Sequence, residues 1–212
     1  GRPRKKDFDG YTQVVIKAAT SHFRFLIVTE EAFPKDAQMG QFALVSWAAA
    51  CEALDFHYSA SPAILKLISV RASQVHGELK TKARQLVHGF YPFDSSDNKR
   101  IIRANQDLAD NLKEDYSFTY KDDELIHKGV FKSAIIQKII NKMWFATRND
   151  EGVVHHSFFK PIRIQTHALV LSVIECCIEE YATGYKVDVD FSGIAYGPVY
   201  RKHLKNLQKF AD

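Results

Sequence analysis

Nine histidines, three cysteines and several close-set carboxylates are the residues of this 212-residue chain that could do chemistry. His155 and His156 stand beside Asp150 and Glu151, ligand types that a divalent metal accepts. Adjacent side chains diverge unless a loop folds them together, so the expectation is a surface loop rather than a metal centre. Asp188 and Asp190, two apart in an alternating stretch, would point to one side of an extended segment and could share a cation. No third acid or general base is identifiable beside them. The expected arrangement is therefore a solvent-facing edge with Val187, Val189 and Phe191 turned inward. Asp122, Asp123 and Glu124 are neighbours on one loop and cannot converge on a single metal. His167 and His203 fall near helix starts or on mixed faces and read as structural. No dinucleotide fingerprint, phosphate-binding loop, nucleophile elbow or C-x-x-C pair occurs. These residues predict a non-catalytic chain with no metal and no other cofactor.

Cys51, Cys176 and Cys177 have no metal-ligand spacing, and adjacent cysteines do not readily bridge each other. Buried, reduced thiols of an intracellular protein are expected. The 46% hydrophobic and 25% charged composition is that of a folded chain, with 15 Phe and nine Tyr to fill its core. No apolar run approaches the length of a membrane span, so no membrane partner is expected. Gly1 in place of methionine is expected of an excised piece of a longer protein.

The net charge of +4 has an address. Arg2, Arg4, Lys5 and Lys6 supply four cations, and the rest of the chain balances 25 basic against 25 acidic residues. Gly1-Arg2-Pro3-Arg4 followed by Lys5-Lys6 looks like the core of an AT-hook, whose G-R-P centre lies extended in the minor groove of A·T-rich DNA. A nuclear-localisation patch or an unstructured basic end are the alternatives. Within the body, residues 60–105 are basic, with Lys66, Arg71, Lys80, Lys82, Arg84, Lys99, Arg100 and Arg103 against Glu78, Asp94 and Asp97. The stretch from Asp107 to Glu124 is acidic. Solvated helix faces explain this pattern. A sharper reading makes Lys80, Lys82, Arg84, Lys99, Arg100 and Arg103 a phosphate-facing surface that works with Arg2, Pro3, Arg4, Lys5 and Lys6.

Helical periodicity must position these residues, because strand alternation is rare. Helices are expected over 11–31, over 37–54 with Asp36 as cap, over 98–113, and over 134–145 with Ser133 as cap. Ser61 before Pro62 starts a helix expected to run unbroken to residue 88. It would be about 40 Å long, with Gly77 its weak point. Its stripe is Ile64, Ile68, Ala72, Val75, Leu79, Ala83, Leu86 and Phe90. Residues 114–132 read as irregular, with extended pieces around Phe118 and Val130, and 148–161 as the longest loop. Thr166 opens the most apolar helix, with Leu171, Ile174 and Ile178 as core, and Gly184 ends it. Pro198 is expected to open the last helix, with Val199, Leu204, Leu207 and Phe210 inward. The fold class is all-α: a single-domain orthogonal or irregular bundle of about six or seven helices with one long central helix, over 10–212 behind a tail at 1–9.

The run Ala168-Leu169-Val170-Leu171, Ile174-Glu175-Cys176-Cys177, Glu180-Tyr181-Ala182-Thr183-Gly184, with Phe191-Ser192, Pro198-Val199-Tyr200 and His203-Leu204, resembles a helical domain of unknown function found in many copies in mushroom-forming fungi. The likeness continues upstream through Ile135-Ile136, Ile139-Ile140-Asn141 and Trp144-Phe145. It implies a fungal protein of the nucleus or cytoplasm and carries no functional residue. Together these features predict a nuclear, chromatin-associated or DNA-binding accessory protein with A·T-rich duplex as partner. The alternative is a protein-interaction module with a protein partner or a homo-oligomeric state, its tail serving localisation.

Overall fold

The Asp9 carboxylate accepts from the backbone N–H groups of Tyr11 and Thr12, each at 3.0 Å, and this cap starts α1, Gly10–Thr29. The structure, a computed structural model, describes residues 3–121 and 129–211. Gly1, Arg2 and the Asp122, Asp123, Glu124 run lie outside the described residues. Helix α2 spans Asp36–Ala53 with Lys35 at its cap position, so Asp36 is the first helical residue and not the cap. Its charge there complements the positive end of the helix. Ser61 Oγ accepts from the Ile64 N–H at 3.3 Å and Pro62 opens α3, Pro62–Ser69, as expected.

The expected unbroken helix over 62–88 is two helices. Helix α3 stops at Val70, and α4 runs over Arg71–Phe90. Serine hydroxyls flank the junction: Ser69 Oγ donates to the Lys66 carbonyl at 3.2 Å and Ser73 Oγ to the Val70 carbonyl at 2.9 Å. Such bonds offer backbone carbonyls an alternative to the helical ladder. Gly77 lies inside α4 without interrupting it. The apolar stripe keeps its phase through the break, with Ile64, Ile68, Ala72, Val75, Leu79 and Ala83 buried, and then passes to Val87.

Contacts cluster into two units, Gly1–His76 and Gly77–Asp212, with the dividing line inside α4. In the first unit α1, α2 and α3 pack on one another. Val15, Ile16, Ala19, Phe23 and Ile27 follow one face of α1, and Trp47 of α2 is also buried. His76 Nε2 lies 2.8 Å from the Ala32 carbonyl.

The second unit contains α5, Lys99–Lys113, capped by Asn98, whose side chain accepts from the Arg100 N–H at 2.9 Å. A 3-10 segment follows over Glu114–Thr119, in which Asp115 and Tyr116 take φ of 46° and 57°. Phe118 is thus helical and buried, not extended as expected. Helix α6 spans Ala134–Trp144, starting after Ser133 without a side-chain cap bond. The expected loop over 148–161 holds two single turns, α7 over Glu151–Val154 and α8 over His156–Phe159. Helix α9, Ile164–Glu179, is apolar on nearly every side and is buried by α5, α6 and α10. Leu171, Ile174 and Ile178 are all in the core, and Trp144 is fully buried. Gly184 takes φ of +80°, and a Cβ there would strike the Ile102 carbonyl, so the site needs glycine twice over.

Helix α10, Gly193–Ala211, begins ahead of Pro198, which lies inside the helix rather than opening it. The carbonyl that Pro198 leaves without a helical donor is that of Ile194, a residue 94% exposed, so solvent can satisfy it. Phe210 turns outward, against expectation, and stacks edge-on with Phe131 at 5.5 Å. Among the described residues there is no strand, so the fold is all-α. No described helix is long and apolar enough to cross a membrane.

Candidate functional site

Lys80 and Arg84 are one turn apart on α4 and share a face. Opposite them, Glu180 follows the last turn of α9 and is 1% exposed, so its carboxylate needs cations. Arg84 binds it in a fork, Nε to Oε2 at 2.9 Å and Nη2 to Oε1 at 2.6 Å, and Lys80 Nζ stands 3.3 Å from Oε1. Both cations also hold Asp188, Lys80 at 2.9 Å, and Lys80 donates to the Val189 carbonyl. The hydrogen bond and charge of Lys80, with Arg84 adding to them, keep the Asp188 carboxyl below the usual carboxylate range. Val187 N–H donates to the Glu180 carbonyl at 2.8 Å. The chain returning from Gly184 is thereby stitched to α4, and the positive charge of Lys80 and Arg84 is spent inside the fold.

This arrangement corrects the expected edge over residues 187–191. The segment forms no strand, Val187 is 53% exposed, and Asp188 meets two cations while Asp190 faces solvent. Lys82 is half-buried, with Nζ 3.5 Å from the Met143 carbonyl. Lys99, Arg100 and Arg103 are exposed on the first two turns of α5, which has no acidic residue in its first turn. Cations there oppose the helix dipole, a cost that a bound anion would reverse.

Of the tail, Pro3 and Arg4 precede a 3-10 turn over Lys5–Asp7. Arg4 has extended backbone, φ −124° and ψ 147°, and its N–H donates to Asp7 Oδ2 at 2.9 Å. Its guanidinium is 3.6 Å from the same carboxylate, in an exposed pair of little strength. Lys5 and Lys6 are therefore coiled rather than extended.

Immediately after the tail, the first unit holds a recess of about 590 Å³ that sequence reasoning missed. Phe8, Tyr11, Trp47, Phe56 and Tyr58 line it with Asp9. Ring centroids of Tyr11 and Phe56 are 5.2 Å apart, those of Phe56 and Tyr58 4.8 Å, and Trp47 meets Phe56 edge-on at 6.0 Å. The polar ends of two rings are occupied: Tyr11 Oη donates to the Leu54 carbonyl at 2.8 Å and Trp47 Nε1 to the Tyr58 carbonyl at 2.9 Å. Hydrogen bonds from the Thr12 hydroxyl and backbone hold the Asp9 carboxyl below its ordinary range, so it is an anion at neutral pH.

The remaining candidates are tied into structure. Asp150 accepts from the Thr147 hydroxyl at 2.8 Å and from its N–H at 2.9 Å, bonds that hold its carboxyl down. Among the described residues no group of three His, Cys, Asp or Glu is placed to hold a metal. His167 Nδ1 lies 3.2 Å from the Arg163 carbonyl, and His203 Nε2 lies 2.7 Å from Glu175. Cys176 and Cys177 are buried free thiols, and burial pushes Cys176 up to about 11, far from a reactive thiolate. Burial likewise raises the half-buried Cys51.

A family model described as a domain of unknown function, DUF6532, matches residues 18–210. Neither a curated protein nor a solved structure matches the chain.

Proposed function

We propose, from the premise that the chain belongs to the DUF6532 family of domains of unknown function, that it is a non-catalytic DNA-binding accessory protein of fungal chromatin. One observation carries the reading. The whole basic surplus lies in Arg2, Arg4, Lys5 and Lys6 around Pro3, while the remaining residues are balanced in charge. Arg2 and Arg4 flank a proline that favours extended backbone, so both guanidinium groups suit the narrow, negative minor groove of A·T tracts. At G·C pairs the guanine amino group obstructs that floor. Lys5 and Lys6 touch flanking phosphates once the weak Arg4–Asp7 pair opens. Lys99, Arg100 and Arg103 add a phosphate-facing patch on α5. Lys80 and Arg84 contribute little, since Glu180 and Asp188 already neutralise them.

Fluorescence anisotropy on matched A·T and G·C duplexes tests this, with the intact chain and with residues 1–6 deleted. The intact chain prefers A·T duplex, and log affinity falls against log salt with a slope of about −3.6 from the four tail cations, steeper where the α5 cations also engage. An affinity and preference unchanged by the deletion would remove the tail from the interface. A protein-interaction module whose tail directs nuclear entry is the second reading. It takes the lead if no duplex binds at low salt.

A further inference from the structure

We propose that the aromatic recess of the first unit is a binding site for a methylated ammonium group, a site that does not depend on the DNA reading. Four features select that chemistry. Trp47 lines the recess at 4% exposure, while Tyr11 and Tyr58, at 54% and 71%, line it where solvent reaches. The rings that line it are mutually tilted, by 48° for Tyr11 on Phe56 and 80° for Trp47 on Phe56, so their planes are not parallel.

The hydroxyl of Tyr11 and the indole N–H of Trp47 are committed to the carbonyls of Leu54 and Tyr58. What these two rings can offer a ligand is therefore their π-faces, whose negative quadrupoles attract a cation. Asp9 adds a full negative charge to the same lining. An anion would be repelled, and a neutral apolar group would ignore the carboxylate. A bare ammonium is strongly hydrated and loses that shell on entry, whereas methyl groups shed water readily and still spread positive charge against the rings. The trimethylammonium head is the group that uses all four features. It comes either from a free choline-type amine or from a trimethyllysine side chain.

The test is a proton NMR titration of the full chain with choline, with its carbon isostere bearing a tert-butyl group, and with short peptides carrying trimethyllysine or unmodified lysine. Ring faces should move the N-methyl resonances upfield. Choline or the trimethyllysine peptide should saturate and bind at least about threefold more tightly than its uncharged or unmethylated counterpart. Tyr58→Leu keeps apolar bulk and removes a π-face; Asp9→Asn keeps the helix cap and removes the charge. Each should weaken binding by about threefold to thirtyfold with helical circular dichroism retained. Tighter binding of the peptide identifies a protein side chain as the source, and tighter binding of choline a free amine. Equal affinity for the tert-butyl isostere, indifference to both substitutions, or no saturation by either cation at millimolar concentration would overturn the proposal. None of these outcomes depends on duplex binding, so the two readings fail separately.

Discussion

His76 sits with its Nε2 2.8 Å from the Ala32 carbonyl and its ring 4.6 Å from that of Phe33. A carbonyl only accepts, so Nε2 carries the proton of a neutral ring. Burial, opposed weakly by that bond, lowers its pKa to about 4. The unfolded chain takes up a proton near the ordinary value of about 6.5, and the native state does not. Stability therefore falls as pH drops from about 6.5 towards about 4 and levels off below, with a total loss of about 3 kcal/mol. The Asp9, Asp150 and Asp188 carboxyls, each held low, lose their share further into acid. Urea unfolding at a series of pH values checks this, with His76→Gln as the comparison. Glutamine keeps a donor and cannot titrate, so its stability should be flat across the window. An equal slope in both proteins would place the titration elsewhere.

At the level of helices, α9 is the element on which the second unit is assembled. Replacing Leu171 with Ala, at a position 1% exposed, should cost about 2–5 kcal/mol in chemical denaturation. Val187→Ala, on the exposed return, should stay within about 0.5 kcal/mol. The place of α9 was legible because its apolar run is a local signal, though the helix ends at Glu179 and not at Gly184 as expected. The start of α3 was legible for the same reason, through Ser61, and α5 begins one residue after its expected start, with Asn98 as its cap. The break at Val70 was not, since the stripe of α3 and α4 stays in phase across it and periodicity alone sees one helix. Pro198 misled because its tolerance rests on the exposure of Ile194, which no local rule supplies. The shared face of Lys80 and Arg84 could be read from their spacing. Their neutralisation could not, because Glu180 and Asp188 are 96 and 104 residues from Arg84. The aromatic recess draws on Phe8, Trp47 and Tyr58 from separate segments, so its signal exists only after folding.

At the scale of the molecule, α4 belongs to both units: Ala72 and Val75 are buried in its first turns, and Leu79, Ala83 and Val87 beyond them. Loss of either unit frays a helix on which the other relies, so thermal unfolding should be one cooperative transition. Two resolved transitions would mean that the units are separate domains. The chain carries the means to decide this. Its only two tryptophans, Trp47 and Trp144, are both buried and fall one to each unit. Trp144 Nε1–H finds no acceptor among the described residues, so Trp144→Phe removes an orphan donor along with some packing area. Trp47→Phe gives up one bond to the Tyr58 carbonyl. Each single-tryptophan protein then emits from one unit alone. Its fluorescence is a private thermometer for that half of the chain, and the two melting curves, laid over each other, show whether the halves fall together.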